Sequence, residues 1–159
     1  MGTRSNTILK DGKTKIVLYR HYDGYPSANG ISLANIMTET VAFSKNYESE
    51  TTSDGTVITT IDDDFRKPIQ FFLEESLSHN GIYRIENDVC LDSEFIYEIT
   101  FLDDKFKFGI FVPQLATTNH EDKDSTQIFE YIGKSPKVLK ARLTKHIKED
   151  LWKVKWQEC

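Results

Sequence analysis

Cysteine, proline and glycine are all scarce in this sequence: its 159 residues include two Cys, four Pro and eight Gly. So few cysteines exclude a disulfide-rich scaffold, and the low glycine and proline content excludes a collagen-like chain. The sequence also lacks any apolar run close to the roughly 20 residues that a membrane-spanning helix needs, and its first residues lack an apolar signal-peptide core. These absences predict a soluble protein of the reducing cytoplasm.

Little in the sequence suggests a bound metal or cofactor. The two cysteines, Cys90 and Cys159, have no metal-ligand spacing, and Cys90 is flanked by apolar residues as a small core side chain would be. Residues 62–64 are three consecutive aspartates, but adjacent carboxylates diverge instead of converging on one cation. Glycine-rich phosphate loops are missing. We therefore expect no metal and no cofactor.

What is present is a chain with 38% hydrophobic residues and a net charge of -5, typical of one folded domain spanning residues 1–159. Residues 7–10 and 14–19 are β-branched runs separated by an Asp-Gly turn, which predicts a hairpin. The second strand leads into Arg20-His21-Tyr22-Asp23-Gly24-Tyr25-Pro26, named here the RHYDGYP turn (residues 20–26). Glycine and proline predict a tight turn there.

Three helices are predicted from apolar residues at helical spacing. The first has Ser32 as its N-cap, and the third begins at Ser135 and Pro136 and covers residues 136–152. The second begins near Pro68 and ends at Asn80-Gly81. The apolar positions of the first two helices are Leu33, Ile36, Met37 and Val41, and then Ile69, Phe72, Leu73 and Leu77.

Further strands are predicted at residues 57–61, 82–85, 95–101 and 105–111. Two polar segments, 46–56 and 113–127, are predicted loops, and the second of them is expected to be mobile. The element order predicts an α+β fold. It consists of an antiparallel sheet built from the N-terminal hairpin and a later β-meander, with two to three helices covering one face.

The RHYDGYP turn is the best candidate for a ligand site, because loops on a rigid scaffold commonly carry function. Arg20 would bind a carboxylate or phosphate, and His21 would donate, accept or transfer a proton. Tyr22 and Tyr25 would stack on a base or form an apolar wall. Asp23 is ambiguous, because Asp before Gly often bonds its own turn. The alternative is a purely structural turn in which Arg20 and Asp23 pair with each other.

The opening Met1-Gly2-Thr3-Arg4-Ser5, the Asp-Gly-Lys turn and the RHYDGYP turn resemble a group of small uncharacterised proteins of bacteriophages and mobile elements. The resemblance covers about the first 35 residues, with a looser echo at residues 95–99. It implies a phage-type accessory protein, acting in the host cytoplasm by binding and blocking host machinery. It also implies that Thr3 and Arg4 cooperate with Arg20, His21 and Asp23, because the hairpin places the two strands side by side.

The C-terminal segment from Lys134 to Lys155 has eight basic and two acidic residues, whereas the remainder of the chain has a net charge of -11. Lys137, Lys140 and Lys148 are therefore candidate contacts for a partner, although a solvated helix face explains the same pattern. A net-acidic chain is a poor duplex binder, so nucleic acid is not the expected partner. Near the C-terminus, two tryptophans at residues 152 and 156 leave a homo-oligomer possible.

Three functions are compatible with these features. The first is a non-enzymatic binding protein that antagonises a host defence factor, by binding a host protein or by sequestering a small anionic or nucleotide ligand. The second is a small nucleotide phosphodiesterase or nuclease-like enzyme that uses Arg20, His21 and Asp23. The third is an interaction module that acts through the basic C-terminal helix.

Overall fold

The computed structural model describes residues 3–46, 50–51, 53, 57–58, 68–78, 81–90, 93–113 and 125–148. Its helices and strands are β1 (Ser5–Asp11), β2 (Thr14–Arg20), α1 (Ile31–Asn46), β3 (Glu50–Thr51), β4 (Val57–Ile58), α2 (Pro68–Leu77), β5 (Arg84–Glu86), β6 (Phe95–Phe101), β7 (Phe106–Pro113), β8 (Ser125–Gly133) and α3 (Pro136–Lys148). Six strands form one sheet in the order β5-β2-β1-β6-β7-β8. The predicted single α+β domain is confirmed.

Both predicted hairpins are confirmed. Strands β1 and β2 are antiparallel, and Gly12 in the turn between them has a φ of 57°, the left-handed conformation that glycine adopts without strain. Strands β6 and β7 are also antiparallel, and the Leu102 amide donates to the Lys105 carbonyl oxygen across the turn at 2.9 Å. In β7, Phe106, Phe108 and Ile110 are buried on one face, as the sequence pattern predicts, and Gly109 on the other face is buried as well.

One strand pairing differs from the expected antiparallel sheet. Strands β1 and β6 are parallel, with Ser5 opposite Phe95. Helices α1 and α2 lie between these strands in the sequence, and a long crossover of this kind returns the chain in the same direction. The N-terminal hairpin therefore lies inside the sheet, with β5 on one side and the β6–β8 meander on the other.

The three helices cover one face of the sheet, as predicted. One buried cluster joins side chains from all three helices to the strand residues of one face: Leu33, Ile36, Met37, Phe72, Leu139 and Leu143 with Leu9, Leu18, Tyr97 and Phe108. A smaller cluster of Ile8, Val17 and Ile96 is buried on the opposite face. At the centre of the sheet, consecutive residues of a strand are apolar, so side chains on both faces are apolar. Each face therefore has a buried cluster, and the helices cover the larger one.

Helix α1 begins earlier than predicted. Residues Pro26–Gly30 form a π-helical turn that runs directly into α1, and the Ala28 amide donates to the Tyr25 carbonyl oxygen at 3.0 Å. Ser32 therefore lies within the helical segment and is not its N-cap. Proline is well suited to a first helical position, and Pro26 takes that position six residues before Ser32.

The predicted apolar stripes are buried in part. Leu33, Ile36 and Met37 of α1 are almost fully buried, whereas the Val41 side chain lies outside the described residues. In α2, Ile69 and Phe72 are buried as predicted and Leu73 packs against the core, but Leu77 at the end of the helix is 40% exposed. Gly81 follows with a φ of 79°, and Asn80 lies outside the described residues.

The short strands depart from the predicted boundaries. Strand β3 lies within the predicted loop 46–56 and pairs with β4, which is Val57–Ile58 at the start of the predicted strand 57–61. Residues 59–61 and the aspartates at 62–64 lie outside the described residues. Strand β5 begins at Arg84, two residues later than the predicted strand 82–85.

The sequence pattern does not predict strand β8. It begins at Ser125, inside the predicted loop 113–127, and pairs with β7 with an irregularity next to Ile110. Its first residues are polar, and this irregularity interrupts the alternation of apolar and polar side chains that marks a strand. Residues 114–124 lie outside the described residues.

Helix α3 begins as predicted. The Val138 amide donates to Ser135 Oγ at 3.2 Å, Pro136 is the first helical residue, and Leu139 and Leu143 are fully buried. Residues 149–152 of the predicted helix lie outside the described residues, as do the two tryptophans and Cys159. None of the described helices is long and apolar enough to cross a bilayer.

Cys90 is half-buried and does not lie in the core, contrary to expectation. Its backbone amide donates to Asn6 Oδ1 at 2.9 Å, and the Ser93 hydroxyl donates to the same oxygen. The Asn6 side chain in turn donates to the Leu18 carbonyl oxygen at 3.1 Å. Asn6 therefore attaches the segment before β6 to the centre of the sheet.

Candidate functional site

Two hydrogen bonds of Gly24 hold the RHYDGYP turn against the sheet. The Gly24 amide donates to the Thr3 carbonyl oxygen at 2.9 Å, and the buried Tyr97 hydroxyl donates to the Gly24 carbonyl oxygen at 2.6 Å. A Cβ on Gly24 would lie 2.7 Å from Ser5 Cβ, so only glycine fits this approach. The turn is therefore attached to strands β1 and β6 at a defined place.

Arg20 is bound mainly to its own protein. Its Nε donates to the Tyr22 carbonyl oxygen at 2.7 Å, and its Nη1 lies within hydrogen-bond distance of Asn29 Oδ1 (3.3 Å) and Tyr83 Oη (3.2 Å). The Arg20–Asp23 pair of the purely structural alternative is not among the contacts of the described residues. Nη2 is the one guanidinium nitrogen without a hydrogen bond within the part of the chain that the structure describes.

A buried polar network lies behind Arg20. The Tyr83 hydroxyl donates to Asn29 Oδ1 at 2.5 Å, and Asn29 Nδ2 donates to Ser5 Oγ at 3.3 Å. Desolvation raises the pKa of Tyr83 above 10.0, although Ser32 and the positive charge of Arg20 partly oppose this shift. Tyr83 is therefore a neutral donor at physiological pH. Neither Asn29 nor Tyr83 could be identified from the sequence, because both lie outside the turn.

The His21 ring has a hydrogen-bond partner at Nδ1, and its Nε2 faces away from that partner. Its Nδ1 lies 2.8 Å from the hydroxyl of the buried Tyr19, and its ring packs against the Tyr22 ring, with the centroids 4.5 Å apart and the planes at 88°. When Tyr19 donates to Nδ1, the proton of the neutral imidazole is on Nε2. In this tautomer, Nε2 is a hydrogen-bond donor available to a ligand.

Asp23 is part of the turn geometry. Its φ is 56°, a left-handed conformation that Asp tolerates better than most residues, and its Oδ1 accepts a hydrogen bond from the Tyr25 hydroxyl at 3.2 Å. His21 and Asp23 thus each bond to a tyrosine and not to each other, so the acid–base pair of the enzymatic hypothesis is not assembled.

An open depression of about 320 Å³ lies in front of the turn. Four of the predicted site residues line it together with two residues from the segment after α2: Arg20, His21, Tyr22 and Asp23 with Gly81 and Ile82. Tyr22 is 63% exposed and Ile82 is 43% exposed. Nothing in the sequence identifies Ile82 as a site residue, since its proximity to Tyr22 exists only in the folded chain.

Three predicted ligand residues do not line this depression. Thr3 contributes its carbonyl oxygen to Gly24, and Arg4 contributes its carbonyl oxygen to the Glu94 amide at 2.9 Å. Tyr25 donates to Asp23. Their observed contacts support the turn and its neighbouring strands, so the site that the structure assembles is smaller than the predicted set.

The predicted partner-binding lysines lie on another part of the surface. Lys137 and Lys140 line a groove of about 610 Å³ between α1 and α3, which is named here the α1/α3 groove. Lys148 is exposed at the last residue of α3 and does not line the groove. Of the residues that the structure describes, none lines both this surface and the RHYDGYP depression.

No group of three or more His, Cys, Asp or Glu side chains suited to a metal ion occurs within the described residues. No family model, curated protein or solved structure matches the chain.

Proposed function

We propose that this protein is a non-enzymatic binding protein, of the kind with which phages and mobile elements antagonise a host defence factor, and that it binds a host protein through the RHYDGYP depression. The observation that supports this proposal best is the exposure of Tyr22 on the front of a turn whose back is held by buried hydrogen bonds, with the exposed Ile82 lining the same depression. The resemblance of the first 35 residues to phage proteins supplies the biological context.

A rigid turn favours binding because little conformational entropy is lost when a partner arrives. Gly24 is bonded on both sides, and Arg20 holds the Tyr22 carbonyl oxygen from within the turn. Tyrosine has few rotatable bonds and a large apolar surface, so it is a common anchor residue in protein interfaces. Tyr22 therefore combines exposure with a fixed backbone.

A protein partner is favoured over a nucleotide by the state of Arg20. Two of its three guanidinium nitrogens are used within the protein, so Arg20 does not offer the two-pronged contact that typically binds a phosphate. Exposed aromatic and apolar side chains with a few donors between them are typical of the central part of an interface with another protein.

The proposal is tested by affinity capture from host lysate combined with a defence assay in cells. Ile82→Ser and Tyr22→Ala are compared with Ile132→Ser, since Ile132 is 49% exposed and lies on β8 at the opposite edge of the sheet. We expect the two site variants to lose both the captured protein and the ability to suppress the defence system, while Ile132→Ser retains both. Equal effects of all three substitutions would overturn the assignment of the depression.

A small anionic ligand is a second candidate, because Arg20 Nη2 remains available as a donor beside the depression, and His21 Nε2 is a second donor when Tyr19 donates to Nδ1. Native mass spectrometry with a panel of linear and cyclic nucleotides tests it. A discrete added mass that disappears in His21→Ala favours sequestration of an anion over binding of a host protein. An unchanged mass with every nucleotide rejects this second candidate.

A further inference from the structure

Helix α3 has an uncompensated positive charge. Its 13 residues include five basic side chains and no acidic one, and all five are exposed: Lys137, Lys140, Arg142, Lys145 and Lys148. Within the described part of the chain, none of them forms an ion pair with a carboxylate. The chain as a whole has a net charge of -5, so this helix is a cationic patch on an acidic protein.

The helix dipole accounts for some of these basic residues and not for others. Lys145 and Lys148 lie in the last turn, where the helix dipole favours cations. Lys137 is the second residue of the helix, where the same dipole disfavours a cation, and Lys140 follows one turn later. The helix dipole therefore does not account for the lysines at 137 and 140.

Lys137 and Lys140 border the α1/α3 groove. The other lining residues are small or uncharged: Asn35 and Thr38 from α1, and Ala141 and Thr144 from α3. On α3 the lining residues follow a spacing of three and four, so they form one stripe along the helix. Glu39 of α1 is exposed but does not line the groove.

We propose that the α1/α3 groove docks an acidic helix of a partner protein. The small side chains of the groove allow a helix backbone to approach closely, and the two lysines meet glutamates or aspartates on the face that enters. This surface is independent of the RHYDGYP depression, so the proposal stands whether or not the depression is the main contact site.

A protein helix is a better fit than a polyanion. Among the residues that the structure describes, the groove lining contains no aromatic side chain on which a base could stack. The residues outside α3 have a net charge of -10, which opposes the approach of a long nucleic acid beyond the immediate contact. A short acidic helix contacts only the cationic patch and avoids this repulsion.

The test is an NMR titration of the isotope-labelled full chain at low ionic strength. The probe is a capped helical peptide of about 18 residues, a length that is helical in water, built from Ala, Leu and Glu with all glutamates on one face. A peptide of identical composition with its glutamates spread around the helix is the control ligand. Lys140→Glu is compared with Lys145→Glu, a matched charge reversal on an exposed residue outside the groove lining.

We expect the one-faced peptide to shift the signals of the groove residues, and Lys140→Glu to weaken its binding about fivefold or more while Lys145→Glu changes it less than about twofold. Equal weakening by both variants would mean unspecific attraction and would overturn the proposal. So would the absence of localised shifts, or tighter binding of a duplex oligonucleotide at the same residues.

Discussion

Replacement of Gly24 by alanine tests whether close contact fixes the RHYDGYP turn to the sheet. The added Cβ would lie 2.7 Å from Ser5 Cβ and 2.8 Å from the Thr3 carbonyl oxygen, well inside normal contact distance. The Thr3 oxygen belongs to the backbone and cannot rotate away. Such a forced shift costs about 1–3 kcal/mol, and each hydrogen bond of Gly24 that is lost adds about 1 kcal/mol.

We therefore expect Gly24→Ala to lower the free energy of unfolding by about 2–4 kcal/mol. In a domain of this size, each kcal/mol corresponds to about 2–4 °C in Tm, so the melting temperature should fall by about 4–16 °C. Urea denaturation followed by circular dichroism measures the free energy, and NMR signals of His21 and Tyr22 report whether the turn has moved.

Gly12→Ala is the matched control. Gly12 has a φ of 57° but no atom within 4 Å of an added Cβ, so this substitution costs only the left-handed conformation, about 1–2 kcal/mol. It should leave the His21 and Tyr22 signals unchanged. The contact with Thr3 and Ser5 does not hold the turn if the free energy of unfolding of Gly24→Ala lies within about 1 kcal/mol of the wild-type value. The same conclusion follows if Gly12→Ala changes the His21 and Tyr22 signals equally.

Three further perturbations test other parts of the structure. Tyr97→Phe leaves the Gly24 carbonyl oxygen unpaired and should cost about 1–3 kcal/mol by urea denaturation; a neutral result would show that water replaces the hydroxyl. Burial raises the pKa of both Tyr83 and Tyr97 above 10.0, so their unfolded forms ionise first. Through these two groups, the free energy of unfolding therefore does not change with pH below pH 10, and it falls above pH 10 by up to about 1.4 kcal/mol per pH unit for each tyrosine. Tyr97→Phe should make this fall with pH less steep. Ser135→Ala removes the N-cap of α3 and should cost about 1 kcal/mol, whereas an unchanged Tm would rule out the cap as a contribution to stability.

The parts of the fold that the sequence predicts are those with a local physical cause. Asp11-Gly12 predicts the first hairpin because one glycine supplies the required backbone conformation, and Ser135 predicts the start of α3 because its hydroxyl caps the helix. Ser32 has the same residue type but lies inside a helical segment, because Pro26 begins the helical conformation earlier. Residue type alone does not reveal which candidate cap is used.

The parts that the sequence does not predict depend on distant residues. The parallel pairing of β1 with β6 joins segments about 90 residues apart, and neither segment contains a signal for direction. In the candidate site, the turn residues are visible in the sequence, but Ile82 and Tyr83 reach Tyr22 and Arg20 only through the packing of the segment after α2. Arg20 also bonds Tyr83, a residue 63 positions away in the sequence, so its role in holding the turn is visible only in the folded chain.

The central position of β1 has a consequence for how the chain folds. The β1–β2 hairpin is local and can form within microseconds, but the other edge of β1 stays unpaired until β6 arrives from much later in the sequence. During that interval, the unpaired edge of β1 is open to other chains. The side chains of Ile8 and Leu9, which are fully buried in the folded protein, are then accessible as well. Synthesis from the N-terminus prolongs this interval, so the nascent hairpin is the stage of the protein's life at which aggregation competes most strongly with folding.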